Sequence, residues 1–130
     1  MNRRGTSILE VMVAGVLLAA AVGLCAYFAN VTAAQRRATQ QRLVAMQEAA
    51  NIMEWLSTQS WGHLTPEAAG DVRLSPESRQ ALPQAKLEVE IGAPAGKPAA
   101  KRLRVSIRWQ DRAGQFLQPV QLTAWRYQDR

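Results

Sequence analysis

Residues 8–29 are 22 consecutive positions carrying a single charge, Glu10, and no other feature restricts the possible folds of this chain as much. A helix rises 1.5 Å per residue, so about 20 apolar residues span the hydrocarbon core of a bilayer. The apolar core of a removable secretory signal is shorter, about 7–15 residues. The length therefore predicts a retained membrane anchor. The polar load falls almost wholly after Thr32, which leaves roughly 100 residues for everything else, part of them connecting helix. A core of that size is marginal, and neighbours in an assembly would stabilise it.

Two rival processing signals lie inside the run. Ala19-Ala20-Ala21 offers the small residues an ordinary signal peptidase requires, so cleavage near Ala21 is the competing expectation. Val22-Gly23-Leu24-Cys25 approximates a lipoprotein box, but Leu24 stands where a small residue is needed. Cys25 is the only cysteine, so a monomer can form no internal disulfide, and in an apolar run its thiol behaves as a small hydrophobe.

Upstream of the run stands a short basic leader, Met1-Asn2-Arg3-Arg4, followed by Gly5 and then Thr6-Ser7-Ile8-Leu9-Glu10-Val11-Met12-Val13-Ala14. A glycine followed five residues later by a glutamate at the mouth of an apolar helix resembles the prepilin signal of type IV pilins and type II secretion pseudopilins. The stretch Leu9 to Ala14 is most similar to minor pseudopilin I and related minor pilins. The resemblance covers residues 4–24 and fades beyond. It implies cleavage between Gly5 and Thr6 by a prepilin peptidase on the cytoplasmic face, with methylation of the new Thr6 amine. It also implies that Glu10 neutralises the Thr6 amine of a neighbouring subunit and so sets axial register during assembly. Thr6 departs from the Phe of many family members. The mid-anchor proline of many major pilins is absent, so a continuous helix is expected; the Asp-rich calcium loop of major pseudopilins and the paired tail cysteines of many pilins are absent too, and these two absences point toward a minor subunit.

The electrostatics agree with a functional acid. A carboxylate in the middle of a membrane helix costs ~2.5–3.5 kcal/mol on insertion scales, and less near the interface. A free α-amine at Thr6, four residues away, is a cation that would offset it, and breaking such a pair strands a charge. Arg3 and Arg4 oppose Arg36, Arg37 and Arg42 across the run, so the positive-inside count leaves orientation open. The prepilin resemblance implies a cytoplasmic amino terminus and a periplasmic head.

Residues 32–58 hold no Pro or Gly and are dominated by good helix formers. Leu43, Met46, Ala50 and Met53 recur at helical spacing, flanked by Ala49, Ile52 and Leu56, and predict the stripe that packs under a head domain. A helix over 7–58 would be on the order of 75–80 Å long, with Gly62 as a stop signal and Trp55 and Trp61 covering the junction. Residues 65–83, rich in Pro, Gly, Ser and acids, predict an irregular connection with one short helical turn.

The period then changes to 2. Leu87, Val89 and Ile91 alternate with polar residues, as do Leu103, Val105, Ile107 and Trp109, and a third run spans 120–127. Three half-buried strands suit an antiparallel meander laid on the helix stripe. Residues 92–101 read as a loop and 110–114 as a turn. Pro119 argues for an edge position of the last strand.

The expected fold is thus α+β: leader 1–5, anchor helix 6–30, amphipathic extension 31–60, and a small β-rich head 61–130. The net charge of +6 is carried by dispersed pairs such as Lys101/Arg102 with no aromatic-interleaved stripe, so no nucleic-acid partner is expected. His63 is the only histidine and no metal spacing surrounds it, while Asp71, Glu77, Glu88 and Glu90 form no catalytic pair. No nucleophile elbow, P-loop or dinucleotide fingerprint occurs. These features predict a structural subunit without enzyme activity, cofactor or small-molecule substrate. Its expected partners are other pilin-like subunits, the prepilin peptidase and the inner membrane. Two further readings stand beside it, a secreted or periplasmic binding domain with an ordinary signal, and a single-pass membrane adaptor.

Overall fold

The computed structural model describes residues 7–97 and 99–128. It is an α+β protein in which a long amino-terminal helix packs on a three-stranded antiparallel sheet, as expected from the two hydrophobic periods. Gly5 and Thr6 lie outside the described residues. The chain divides into two compact units, residues 1–39 and 40–130.

Helix α1 spans Ile8–Thr58 without a proline. It ends at Thr58, as expected, but short of the glycine expected to stop it. The Ser57 and Thr58 hydroxyls turn back onto the carbonyls of Glu54 and Trp55, both at 2.7 Å, and the Gln59 N–H closes a tighter turn on Leu56 at 3.2 Å. These groups satisfy the last carbonyls locally, and the helix stops. Gly62 falls instead within a short 3-10 turn, Trp61–His63.

The connection holds two short helices rather than one turn, α2 (Pro66–Asp71) and α3 (Pro76–Ala81). Each begins with a hydroxyl N-cap followed by proline at the first helical position. Thr65 accepts from the Ala68 N–H at 3.3 Å and Ser75 from the Ser78 N–H at 3.2 Å. The proline lacks a donor that would be orphaned there anyway, and its fixed φ favours helix entry.

Strands β1 (Lys86–Gly92), β2 (Ala100–Arg108) and β3 (Val120–Tyr127) form a meander in the order β1-β2-β3. Val89 stands opposite Val105, and Val105 opposite Leu122, so the apolar sets of all three strands share one face. Between β2 and β3, Asp111 Oδ1 accepts from the N–H groups of Ala113 and Gln115, and Gly114 takes a left-handed φ of 79° to complete the turn. Pro119 sits just before β3 instead of interrupting it, and β3 is an edge strand as expected. At the other edge α2 packs beside β1 and sends Ala69 into the core.

The core uses only one side of the expected α1 stripe: its flanking Ala49, Ile52 and Leu56 are buried and Met53 packs partly against them. Ala45, Ala49, Ile52 and Leu56 are buried with Leu103, Val105, Ile107 and Trp109, whereas Leu43 and Met46 remain 60% and 48% exposed and Ala50 is also exposed. At about 100° per residue, the buried face is centred roughly 120° around the helix from Leu43, Met46, Ala50 and Met53, on the side of the flanking residues. Two observations account for this. Ala45 and Ala49 have no bulk beyond Cβ and let the sheet approach closely, and Glu48 on the same face is tied down. Glu48 is only 8% exposed and accepts from the Ser75 N–H at 2.6 Å and the Ser75 hydroxyl at 3.0 Å. A buried carboxylate needs such partners. Here it braces the start of α3 against α1.

Candidate functional site

The amino-terminal unit is the candidate site, because its side chains face outward and must be covered by something. Its most apolar 18-residue window has a mean hydropathy of 2.4 and none of it is buried within the chain. Leu9, Val16, Leu17, Leu18 and Phe28 all expose most of their surface. Soluble monomers rarely expose contiguous apolar patches above a few hundred Å². The helix is long and apolar enough to cross a membrane. Away from its ends a helix bonds its backbone groups internally, the condition for a segment in hydrocarbon.

The run ends in features that suit a membrane boundary. Tyr27 and Phe28 meet edge to face with centroids 5.9 Å apart, and the Thr32 hydroxyl bonds the Phe28 carbonyl at 2.8 Å. Aromatic residues concentrate at bilayer interfaces, where an amphipathic ring fits. Arg36 and Arg37 follow one turn later, both exposed. Cys25 is also exposed.

Glu10 lies in the first turn of α1, where the Ser7 carbonyl accepts the Glu10 and Val11 N–H groups at 2.8 and 3.2 Å. The positive end of the helix dipole favours a carboxylate there. Glu10 is exposed, and among the described residues its side chain has no hydrogen-bond or ion-pair partner. It is an acceptor presented from an apolar rod, able to take a cation from outside the chain.

The head contains arrangements that the sequence reading missed. Lys101 Nζ bonds the carbonyls of Trp61 and Leu64 at 2.7 and 2.8 Å and sits 4.6 Å from the centroid of the Trp61 ring, pinning the helix exit to β2. Trp61 is half-buried there, but Trp55 stays 51% exposed and does not seal the junction. Trp55, Glu48, Asn51, Asp71 and Arg73 line a groove of about 420 Å³. Its innermost acid, Glu48, is already engaged by Ser75. The Thr65-Pro66 and Ser75-Pro76 pairs were legible helix starts, whereas nothing local in the sequence announces the Glu48–Ser75 contact across 27 residues.

On the outer sheet face Glu90 pairs with Arg104 at 3.4 Å and Glu88 with Arg108 at 3.2 Å. Both acids share the solvent face, as the alternation predicts. His63 is exposed, and among the described residues no cluster of three potential metal ligands occurs. In comparisons with known proteins the chain finds no matching family model, curated protein or solved structure.

Proposed function

We propose that this chain is a pilin-like subunit, a minor pilin or pseudopilin that helps prime or cap a periplasmic filament of a type IV pilus or type II secretion system. The observation that carries the reading is Glu10, an exposed acid in the first turn of an unbroken apolar helix, five residues beyond Gly5. A carboxylate there is costly in hydrocarbon unless a cation meets it. The amine released by a cut after Gly5 supplies that cation from a second subunit. The apolar side chains that one chain leaves uncovered would be covered first by the inner membrane and then by neighbouring helices. The role is structural, with no catalysis, and the head faces the periplasm.

The decisive measurement is mass spectrometry of the amino terminus of the protein taken from its native membrane. The reading requires a chain beginning at Thr6, with the methylated amine as further support. A start near Ala21 or Val22 would replace it with a secreted domain. An intact Met1 would replace it with a single-pass adaptor.

A further inference from the structure

The head carries a second uncovered surface, on the opposite face of the sheet from the core. Trp125 and Tyr127 of edge strand β3 point outward and are 50% and 62% exposed. Directly across from Trp125 on the central strand stands Arg102, also exposed. Cross-strand partners on one face bring their Cβ atoms within about 5.5 Å, so Arg102 and Trp125 form one patch. On its other side Arg102 faces Gly92, which has no side chain to cover it. The other two arginines of this face, Arg104 and Arg108, have carboxylates within 3.4 Å; among the described residues Arg102 has none.

We propose that this corner of the sheet is a docking site for a different protein that presents a carboxylate to Arg102 and apolar surface to Trp125 and Tyr127. Trp, Tyr and Arg are the residues that dominate binding energy at protein interfaces, and here they stand together, exposed, on a rigid element. Charge complementarity selects the partner. The chain carries a net charge of +6, so two copies repel, and among the described residues the outer-face acids Glu88 and Glu90 are already paired with Arg108 and Arg104. Those same acids interrupt the positive surface a phosphate backbone would follow, which disfavours nucleic acid. The inference concerns the head alone and does not depend on how the amino terminus is processed.

The test places a photo-crosslinking benzoylphenylalanine at Tyr127 in the full chain, expressed in its native envelope. The expected adduct is with a different protein, through a peptide containing Asp or Glu. Its yield should fall at least about tenfold in Arg102→Glu, the loss of one contact of about 1.4 kcal/mol. It should return when the partner's acid is changed to Arg. Arg102 is exposed, so Arg102→Glu leaves the core intact, and unchanged thermal unfolding checks this. The proposal is overturned by adducts with nucleic acid, lipid or a second copy, by no adduct, or by an adduct that Arg102→Glu does not weaken. Failure of the charge swap to restore the adduct also overturns it.

Discussion

Replacing Glu48 by alanine should destabilise the head by about 1–4 kcal/mol, although the residue is acidic. The magnitude follows from its two bonds. The Ser75 N–H, held at 2.6 Å, would lose its acceptor where α1 and α3 meet. A buried donor left without a partner costs about 1–3 kcal/mol, with the half-buried Ser75 N–H toward the lower end, and the lost hydroxyl bond at 3.0 Å adds about 0.5–1.5. Removing a buried charge recovers some desolvation, which trims the sum. Glu48→Gln keeps one acceptor oxygen and should cost about half as much. Ser75→Ala loses the hydroxyl bond and the N-cap but keeps the N–H, for about 1–2 kcal/mol. Glu48 and Ser75 act as one unit, so the double variant should be less destabilised than the sum of the singles by at least about 0.5 kcal/mol. The assay is urea unfolding of the full chain in detergent, followed by tryptophan fluorescence. A domain of this size should show melting shifts of about 4–8 °C per kcal/mol. If Glu48→Ala unfolds within 0.5 kcal/mol of the parent on the ~1 kcal/mol scale of a single hydrogen bond, or the two sites prove additive, the reasoning fails.

Glu10→Val should leave cleavage after Gly5 intact while filament incorporation, measured by immunoblot of sheared or crosslinked filaments, drops at least about tenfold, and equal incorporation would remove the proposed register role. Leu56→Ala should cost about 2–5 kcal/mol while Leu43→Ala changes head stability by less than about 0.5, because only the first is buried; the opposite ranking would show that the helix uses its other face. A third expectation concerns acid. Glu67 in the first turn of α2 has its carboxyl held below the usual 4.5, first by its own backbone N–H and then by the Thr65 hydroxyl, with slight burial opposing. A group depressed in the folded state contributes stability above its unfolded value and loses it as pH falls through the folded one. Glu67→Gln should therefore flatten the stability profile below about pH 4.5, and an unchanged acid limb in pH-dependent melting would contradict this.

Much of the architecture was legible because the signals were local. A run of 22 apolar residues with one acid has few stable conformations, and an unbroken helix satisfies its backbone in any apolar setting. The strands could be assigned, with their faces, because alternation at Leu87-Val89-Ile91 and Leu103-Val105-Ile107 has a strict period of 2, and a slip of one residue would turn every apolar side chain to water. The Gly5–Glu10 spacing singled out one acid, whose place in the first turn of α1 is a local property too.

The buried face of α1 was legible only in part: Ala49, Ile52 and Leu56 stood at the flank of the expected stripe and not at its centre. Apolar and small residues surround the helix almost fully from 43 to 56, so the pattern alone supported the large side chains Leu43 and Met46 as the core stripe. The sheet instead selects the face where Ala45 and Ala49 allow close approach and where Glu48 can reach Ser75. That choice depends on an acceptor and a donor 27 residues apart, which no local window contains. The same holds for Trp125 and Tyr127. Alternation puts them on the face opposite the core, but only the pairing of β3 with β2 alone sets them beside Arg102 at an open edge. Periodicity determines what each segment can become; the neighbour that each face meets is a property of the assembled fold.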